Sequence, residues 1–125
     1  MKKDNQMTIQ ELKDRVEKFK TNRNWGKHHT PKNLAMSIAI EAAELMEHFQ
    51  WDEYTKENRE EIESEFADVI FYCIHFANTS NIDVSKMVLD KLAHNEKKYP
   101  VDIFKKKDNP SIYSKIKRDY RRKRD

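Results

Sequence analysis

Residues 30–49 read TPKNLAMSIAIEAAELMEHF, and their pattern decides the fold class. Thr30 offers a side-chain oxygen suited to capping a helix, and Pro31 follows at the first helical position, where its missing N–H costs nothing. Leu34, Ile38, Ala42, Leu45 and Phe49 then recur at steps of three and four, which places them on one helical face expected to meet a core. The same logic extends in both directions. Upstream, Thr8 with Glu11 forms a capping-box pattern ahead of Ile9, Leu12, Val16 and Phe19, spaced as an amphipathic helix. Residues 21–30 between the two helices read as a loop.

Downstream, residues 50–54 around Trp51 break the pattern. A third helix is expected from near Thr55, with Ile62, Phe66, Val69, Ile70, Cys73, Phe76 and Ala77 on its apolar side. Asn78 to Asn81 read as a turn. Asp83 can cap a fourth helix carrying Val84, Val88, Leu89 and Leu92, which should stop at Tyr99 because Pro100 disfavours helical geometry in the residue before it. The chain has one glycine and three prolines, too little punctuation for many strands and tight turns. The expected architecture is all-α: an antiparallel four-helix bundle over residues 1–104, followed by a basic C-terminal extension at 105–125. Ile112, Ile116 and Tyr120, spaced by four, allow a short docked helix within that extension.

A length of 125 residues favours one domain. Hydrophobic residues make up 37% and charged residues 38%, a polar balance for a globular monomer. Because the apolar residues cluster in periodic stripes, the natural reading is helices that finish their burial by forming a homo-oligomer. Cys73 is the sole cysteine, so no internal disulfide can form and a reducing compartment is expected. No apolar run approaches the ~20 residues that span a bilayer. The polar N-terminus leads into no signal-like segment. A cytoplasmic protein with no membrane contact is expected.

The net charge of +3 conceals two opposed regions. Residues 41–68 hold eleven acids against two bases, Lys56 and Arg59, while residues 105–125 hold ten bases against three acids. The acidic region contains two short motifs, Glu41-Ala42-Ala43-Glu44 and Glu65-Phe66-Ala67-Asp68, on consecutive helices. Residues three apart lie ~60° apart around a helix and ~4.5 Å along it, so each pair shares a face. On antiparallel neighbours the four carboxylates can meet over one small volume. Their surroundings are small or apolar (Ala42, Ala43, Phe66, Ala67, Val69), and gathering like charges there costs several kcal/mol per ion without compensation. A hard divalent cation compensates them, and an oxygen-only set suits Mg²⁺ before Mn²⁺. Such an ion typically joins carboxylates to substrate phosphates. An isolated ExxE is more often a solvated helix face. Here Asp68 begins an otherwise apolar run to Ala77, where an unpaired acid is expensive. A di-iron bundle would need Glu-x-x-His motifs, and the chain has none: Glu44 to His48 is a spacing of four.

With these motifs in place, the sequence resembles the MazG-like all-α nucleotide pyrophosphohydrolases, and within them the dCTP pyrophosphatase branch. Their signature is ExxE, a spacer and ExxD, matched by Glu41–Glu44 and Glu65–Asp68 with twenty residues between. The likeness runs from about Phe19 to Pro100 and includes Trp25, the stretch His29 to Leu34, the stretch Glu44 to Trp51, and Lys91 to Asn95 followed by Lys98-Tyr99-Pro100. The resemblance implies hydrolysis of nucleoside triphosphates, dCTP or related pyrimidine nucleotides, to monophosphate and pyrophosphate. It implies Mg²⁺ held by Glu41, Glu44, Glu65 and Asp68, with Glu41 the candidate base. Tyr72, one turn after Asp68, should share its face. Lys91, Asn95 and Lys98 step along a helix as phosphate donors, and Tyr99 adds a hydroxyl. Trp25, His29 and Trp51 would form the base pocket, two aromatic faces and a directional hydrogen-bonding group. A homo-oligomer, a tetramer built as a dimer of dimers, is the expected assembly.

The extension after Phe104 has no counterpart in that pattern. Its cations can contact phosphates, pack on a neighbouring subunit or bind nucleic acid through counterion release. A non-catalytic module binding nucleic acid through this tail is therefore the main competing expectation. The acidic middle of the chain argues against a wide nucleic-acid surface. A helix bundle with only an assembly or regulatory role is the third.

Overall fold

A computed structural model describes residues 1–51, 53, 57–106 and 110–124. Among these residues there are six α-helices and no strand: α1 (Ile9–Asn22), α2 (Pro31–Glu47), α3 (Arg59–Thr79), α4 (Val84–Lys98), α5 (Val101–Lys106) and α6 (Pro110–Arg124). The all-α class expected from the periodicity is the class observed. None of these helices is long and apolar enough to cross a membrane.

Local chemistry sets the helix starts. The Thr8 hydroxyl accepts the Glu11 N–H at 3.1 Å while the Glu11 carboxylate accepts the Thr8 N–H at 2.7 Å, closing the anticipated capping box on α1. The Thr30 hydroxyl accepts the Asn33 N–H at 3.2 Å, and Pro31 occupies the first position of α2. The expected start of the third helix near Thr55 lies outside the described residues, and α3 is described from Arg59. It also takes in the first two residues of the expected turn, Asn78 and Thr79, and the chain reverses at Asn81 with φ 53°. Asn24, after α1, has the same φ of 53°. Asparagine is one of the few residues that tolerate this left-handed geometry. Helix α4 ends at Lys98, just ahead of Tyr99 and Pro100.

The chain divides into two compact units, Met1–Val84 and Ser85–Asp125. In the first, α3 is the central element, with α1 and α2 packed against it. Both partners run antiparallel to it. Lys13 Nζ donates to the Ile82 carbonyl at 2.8 Å and Asn78 Nδ2 donates to the Lys13 carbonyl at 3.0 Å, while Phe19 meets Phe71 edge-on at 5.6 Å. At the C-terminal end of α2, His48 approaches Glu61 and Glu65, while Glu41 and Glu44 lie near Glu65. The core is thin: Val16, Leu34, Ile62, Ile74 and Ala77, plus one polar residue, His75. Several side chains expected inside lie open instead, including Phe49 and, on α4, Val88, Leu89 and Leu92, the last three each more than half exposed. Helical spacing located a face without specifying what covers it.

In the second unit α6 runs back along α4. Tyr99 stacks on Tyr113 at 5.1 Å and His94 meets Tyr120 edge-on at 5.9 Å, so rising numbers on one helix pair with falling numbers on the other. Ile112, Ile116 and Tyr120 are half-buried, as a docked helix requires. No residue of α4 or α6 is fully buried.

Candidate metal and phosphate site

The antiparallel pairing of α2 with α3 brings the two acidic motifs together. Glu41, Glu44 and Glu65 each present a carboxylate oxygen within 4.8 Å of the others, a cluster able to hold a metal ion. Glu41 and Glu65 are half-buried and Glu44 is exposed. Asp68, also half-buried, stands outside this tight triad but within electrostatic reach of it. Burial is the first cause that raises the Glu41 carboxyl above the usual carboxylate range. A hydrogen bond with Glu44 and the charges of Glu44, Asp68 and Glu65 follow. Repelled, partly desolvated carboxylates with oxygen donors alone fit a hard divalent cation.

One neighbour escaped the sequence reading as a site residue. His48 Nε2 lies 3.5 Å from Glu65 Oε1, and His48 Nδ1 lies 4.0 Å from Glu61 Oε2. The signal was the step of four from Glu44 to His48, which puts both on the face of α2 that meets α3. His48 can orient the Glu65 carboxylate by hydrogen bonding. Beside it opens an acidic cleft of about 720 Å³ lined by Glu57, Glu60 and Glu61.

The expected base-pocket residues part company. Trp25 and His29 are neighbours, with ring centroids 6.1 Å apart, and Trp25 also meets Phe19 edge-on at 5.5 Å. The loop that carries them is tied to α2 where Asn33 Nδ2 donates to the His28 carbonyl at 3.0 Å. Trp51 is 87% exposed and in contact with neither. Tyr72 lies on α3 one turn from Asp68, packed edge-on against Phe71 at 5.8 Å.

Behind His29 sits His75, 1% exposed, with ring centroids 4.6 Å apart. Neither nitrogen of His75 has a hydrogen-bond partner among the described residues. Burial first, then the nearby His29 and Lys20, lower its pKa to about 4, so the ring is neutral at physiological pH. The same burial and the Lys20 charge depress His29. Cys73, half-buried on the same helix, has its thiol pushed up by burial, which disfavours the thiolate.

Lys91, Asn95, Lys98 and Tyr99 all belong to the second unit. Lys91 and Lys98 line one cleft there together with residues of α6. Asn95 is exposed and does not line it; its backbone carbonyl accepts the Tyr99 N–H at 2.8 Å. The Tyr99 ring is engaged by Tyr113 and Phe104 rather than open.

The model of the MazG-like family matches residues 36–113, which include both acidic motifs and all of α4. A dCTP pyrophosphatase 1 of Mus musculus is 28% identical over 104 residues, covering 77% of this chain and 61% of that protein. The Homo sapiens protein of the same name is 27% identical over 104 residues, with the same coverage. The chain thus spans about 61% of the length of these relatives. The crystal structure of a pyrophosphatase from Archaeoglobus fulgidus superposes with a TM-score of 0.65 at 42% identity, covering 74% of this chain and 92% of that one.

Proposed function

Because this chain belongs to the MazG-like family, we propose that it is a Mg²⁺-dependent nucleoside triphosphate pyrophosphohydrolase, acting on dCTP or related pyrimidine nucleotides. The carrying observation is the meeting of Glu41, Glu44 and Glu65 within 4.8 Å, with Asp68 close enough to add to their repulsion. The pyrophosphatase names of the Mus musculus and Archaeoglobus fulgidus proteins support the reaction class, and the dCTP pyrophosphatases support the base.

On this reading Glu41, Glu44, Glu65 and Asp68 hold the ion, Mg²⁺ before Mn²⁺. When bound, it supplies the positive charge that neutralises the cluster and draws in phosphate oxygens. Glu41 acts as base, a carboxylate beside the ion and the attacking water. It takes the proton of an attacking water. The water oxygen bonds to the α-phosphorus, the bond from that phosphorus to the α–β bridging oxygen breaks, and pyrophosphate leaves with that oxygen. His48 keeps Glu65 oriented. Lys91, Asn95, Lys98 and Tyr99 donate to phosphate oxygens, while Trp25 and His29 flank the base; Trp51 joins them only if substrate or a second copy draws it in. A homo-oligomer covers the apolar side chains left open on α2 and α4, among them Met36, Ile40 and Leu89.

A panel of ribo- and deoxynucleoside triphosphates with Mg²⁺, with products identified, tests the proposal. Monophosphate plus pyrophosphate is expected, fastest from dCTP. No pyrophosphate from any member would remove the reading. A faster purine substrate would remove only the base preference.

A further inference from the structure

The antiparallel packing of α4 and α6 aligns two stripes of cations across a single cleft. Lys91 and Lys98 lie two turns apart on α4, while Lys117, Arg121 and Arg124 step by four and three along α6. All five line one cavity of about 490 Å³. We propose that this cleft is a binding site for a short chain of linked phosphates, and that Lys117, Arg121 and Arg124 are its unassigned half. Those three residues lie beyond the 36–113 stretch matched by the family model.

Three observations carry it. Among the described residues no carboxylate lines the cavity, and none of the five cations forms an ion pair with a described carboxylate. Their like charges face one another across the cleft at a cost that solvent screening keeps modest and that a bound anion would relieve. Aromatic faces also restrain the ammonium groups. Lys98 Nζ lies 5.0 Å from the Tyr120 centroid and 5.3 Å from that of Tyr99, and Lys117 Nζ lies 5.8 Å from that of Tyr113. The same rings dock α6 on α4, so the packing that builds the second unit also positions its donors. Finally, the cleft has the volume of a small-molecule pocket and spans about 10 Å between Lys91 and Lys98. A single phosphate reaches only part of that length, whereas two or three linked phosphates can meet both stripes.

A long polyanion fits less well. Lys115, Arg118, Arg122 and Lys123 of α6 do not line the cavity, so the cleft does not continue into a longer cationic track for an extended nucleic acid. The occupant is thus a free oligophosphate: the triphosphate chain of a nucleotide, or pyrophosphate itself. Only the first source rests on the proposed function.

The test is calorimetric titration of the full chain with sodium pyrophosphate and with tripolyphosphate, in metal-free buffer at low salt. Two double variants remove equal charge, K117A/R121A inside the cleft and K115A/R122A outside it, with helical content checked by circular dichroism. Binding should weaken about tenfold or more in the first and less than about twofold in the second. K117R should bind as the parent does, which separates lost contact from lost fold. Absence of binding to the parent chain, or equal weakening in both variants, overturns the proposal. So does tighter binding of a single-stranded oligonucleotide that is lost with the cleft variant. If the chain hydrolyses dCTP, a raised KM in K117A/R121A assigns the cleft to the substrate's phosphates. An unchanged KM with product inhibition lost assigns it to pyrophosphate. An inactive chain that still binds pyrophosphate leaves the cleft standing and removes the enzymatic reading alone.

Discussion

The two units of this chain gather like charges in opposite ways. In the first, carboxylates on α2 and α3 converge, and burial combines with repulsion to raise Glu41. In the second, cations on α4 and α6 converge with no fully buried residue beneath them, held by ring faces. Partial desolvation makes the acidic cluster expensive without a counter-ion; the basic cleft stays wet, so screening keeps its cost low. One arrangement calls for a metal ion, the other for an anion with several charges.

The sharpest way to break this contrast is to empty the acidic cluster. Glu65→Ala should lower kcat/KM for triphosphate hydrolysis by roughly 10³-fold, the scale of losing a central electrostatic group. Steady-state kinetics read it directly, and near-parental activity would refute the metal-site assignment.

Next in size is the acid sensitivity of the first unit. The buried His75 falls from an ordinary 6.5 to about 4, so below about pH 6.5 the unfolded chain binds a proton that the folded one refuses. Stability from this group is full above about pH 6.5 and declines towards pH 4, by roughly 3 kcal/mol in total. Urea unfolding at intervals between those limits should show the slope, and His75→Phe should flatten it. An equal slope in the variant would mean that other groups carry the effect.

Metal binding should then sharpen the contrast at neutral pH. Mg²⁺ at a hundred times its dissociation constant is expected to stabilise the fold by about 2.7 kcal/mol. The gain should shrink on acidification, because the raised Glu41 keeps its proton to higher pH than an ordinary carboxylate and competes with the ion. Thermal melts with and without Mg²⁺ test this, and a shift independent of pH would count against Glu41 as a ligand.

The smallest effect compares one charge from each region in metal-free protein. Glu41→Gln should raise the melting temperature at pH 7, since it removes a carboxylate repelled by three others. Arg121→Ala, at a wet surface, should stay within about 0.5 kcal/mol of the parent. The reverse ranking would show that the cationic cleft, not the acidic cluster, holds the greater strain.

Much of the fold was legible because its punctuation is local. Thr8 with Glu11, Thr30 with Pro31, and Pro100 mark helix ends through hydrogen bonds and sterics that act within a few residues. The acidic motifs were legible for a related reason: a spacing of three fixes a shared face on any helix. Contacts between distant residues were not. His75 sits on the apolar run of α3 and reads as an ordinary polar interruption until α1 and the His29 loop close over it. Phe49 and Leu89 have core spacing, yet among the described residues they remain 44% and 62% exposed.

From its residues alone, the chain determined four amphipathic helices, the chance of a further one in the tail, an all-helical class, two acidic turns and a basic extension, because capping, periodicity and charge are properties of neighbours in sequence; the short α5 was not foreseen. Tertiary structure alone decided that Glu41, Glu44 and Glu65 meet, that His48 joins Glu65, and that α6 lies along α4 in the register that faces Lys117 and Arg121 towards Lys91 and Lys98. Those outcomes depend on which helix faces pair and at what offset, and pairing is set by the summed packing of whole elements, which no short segment encodes.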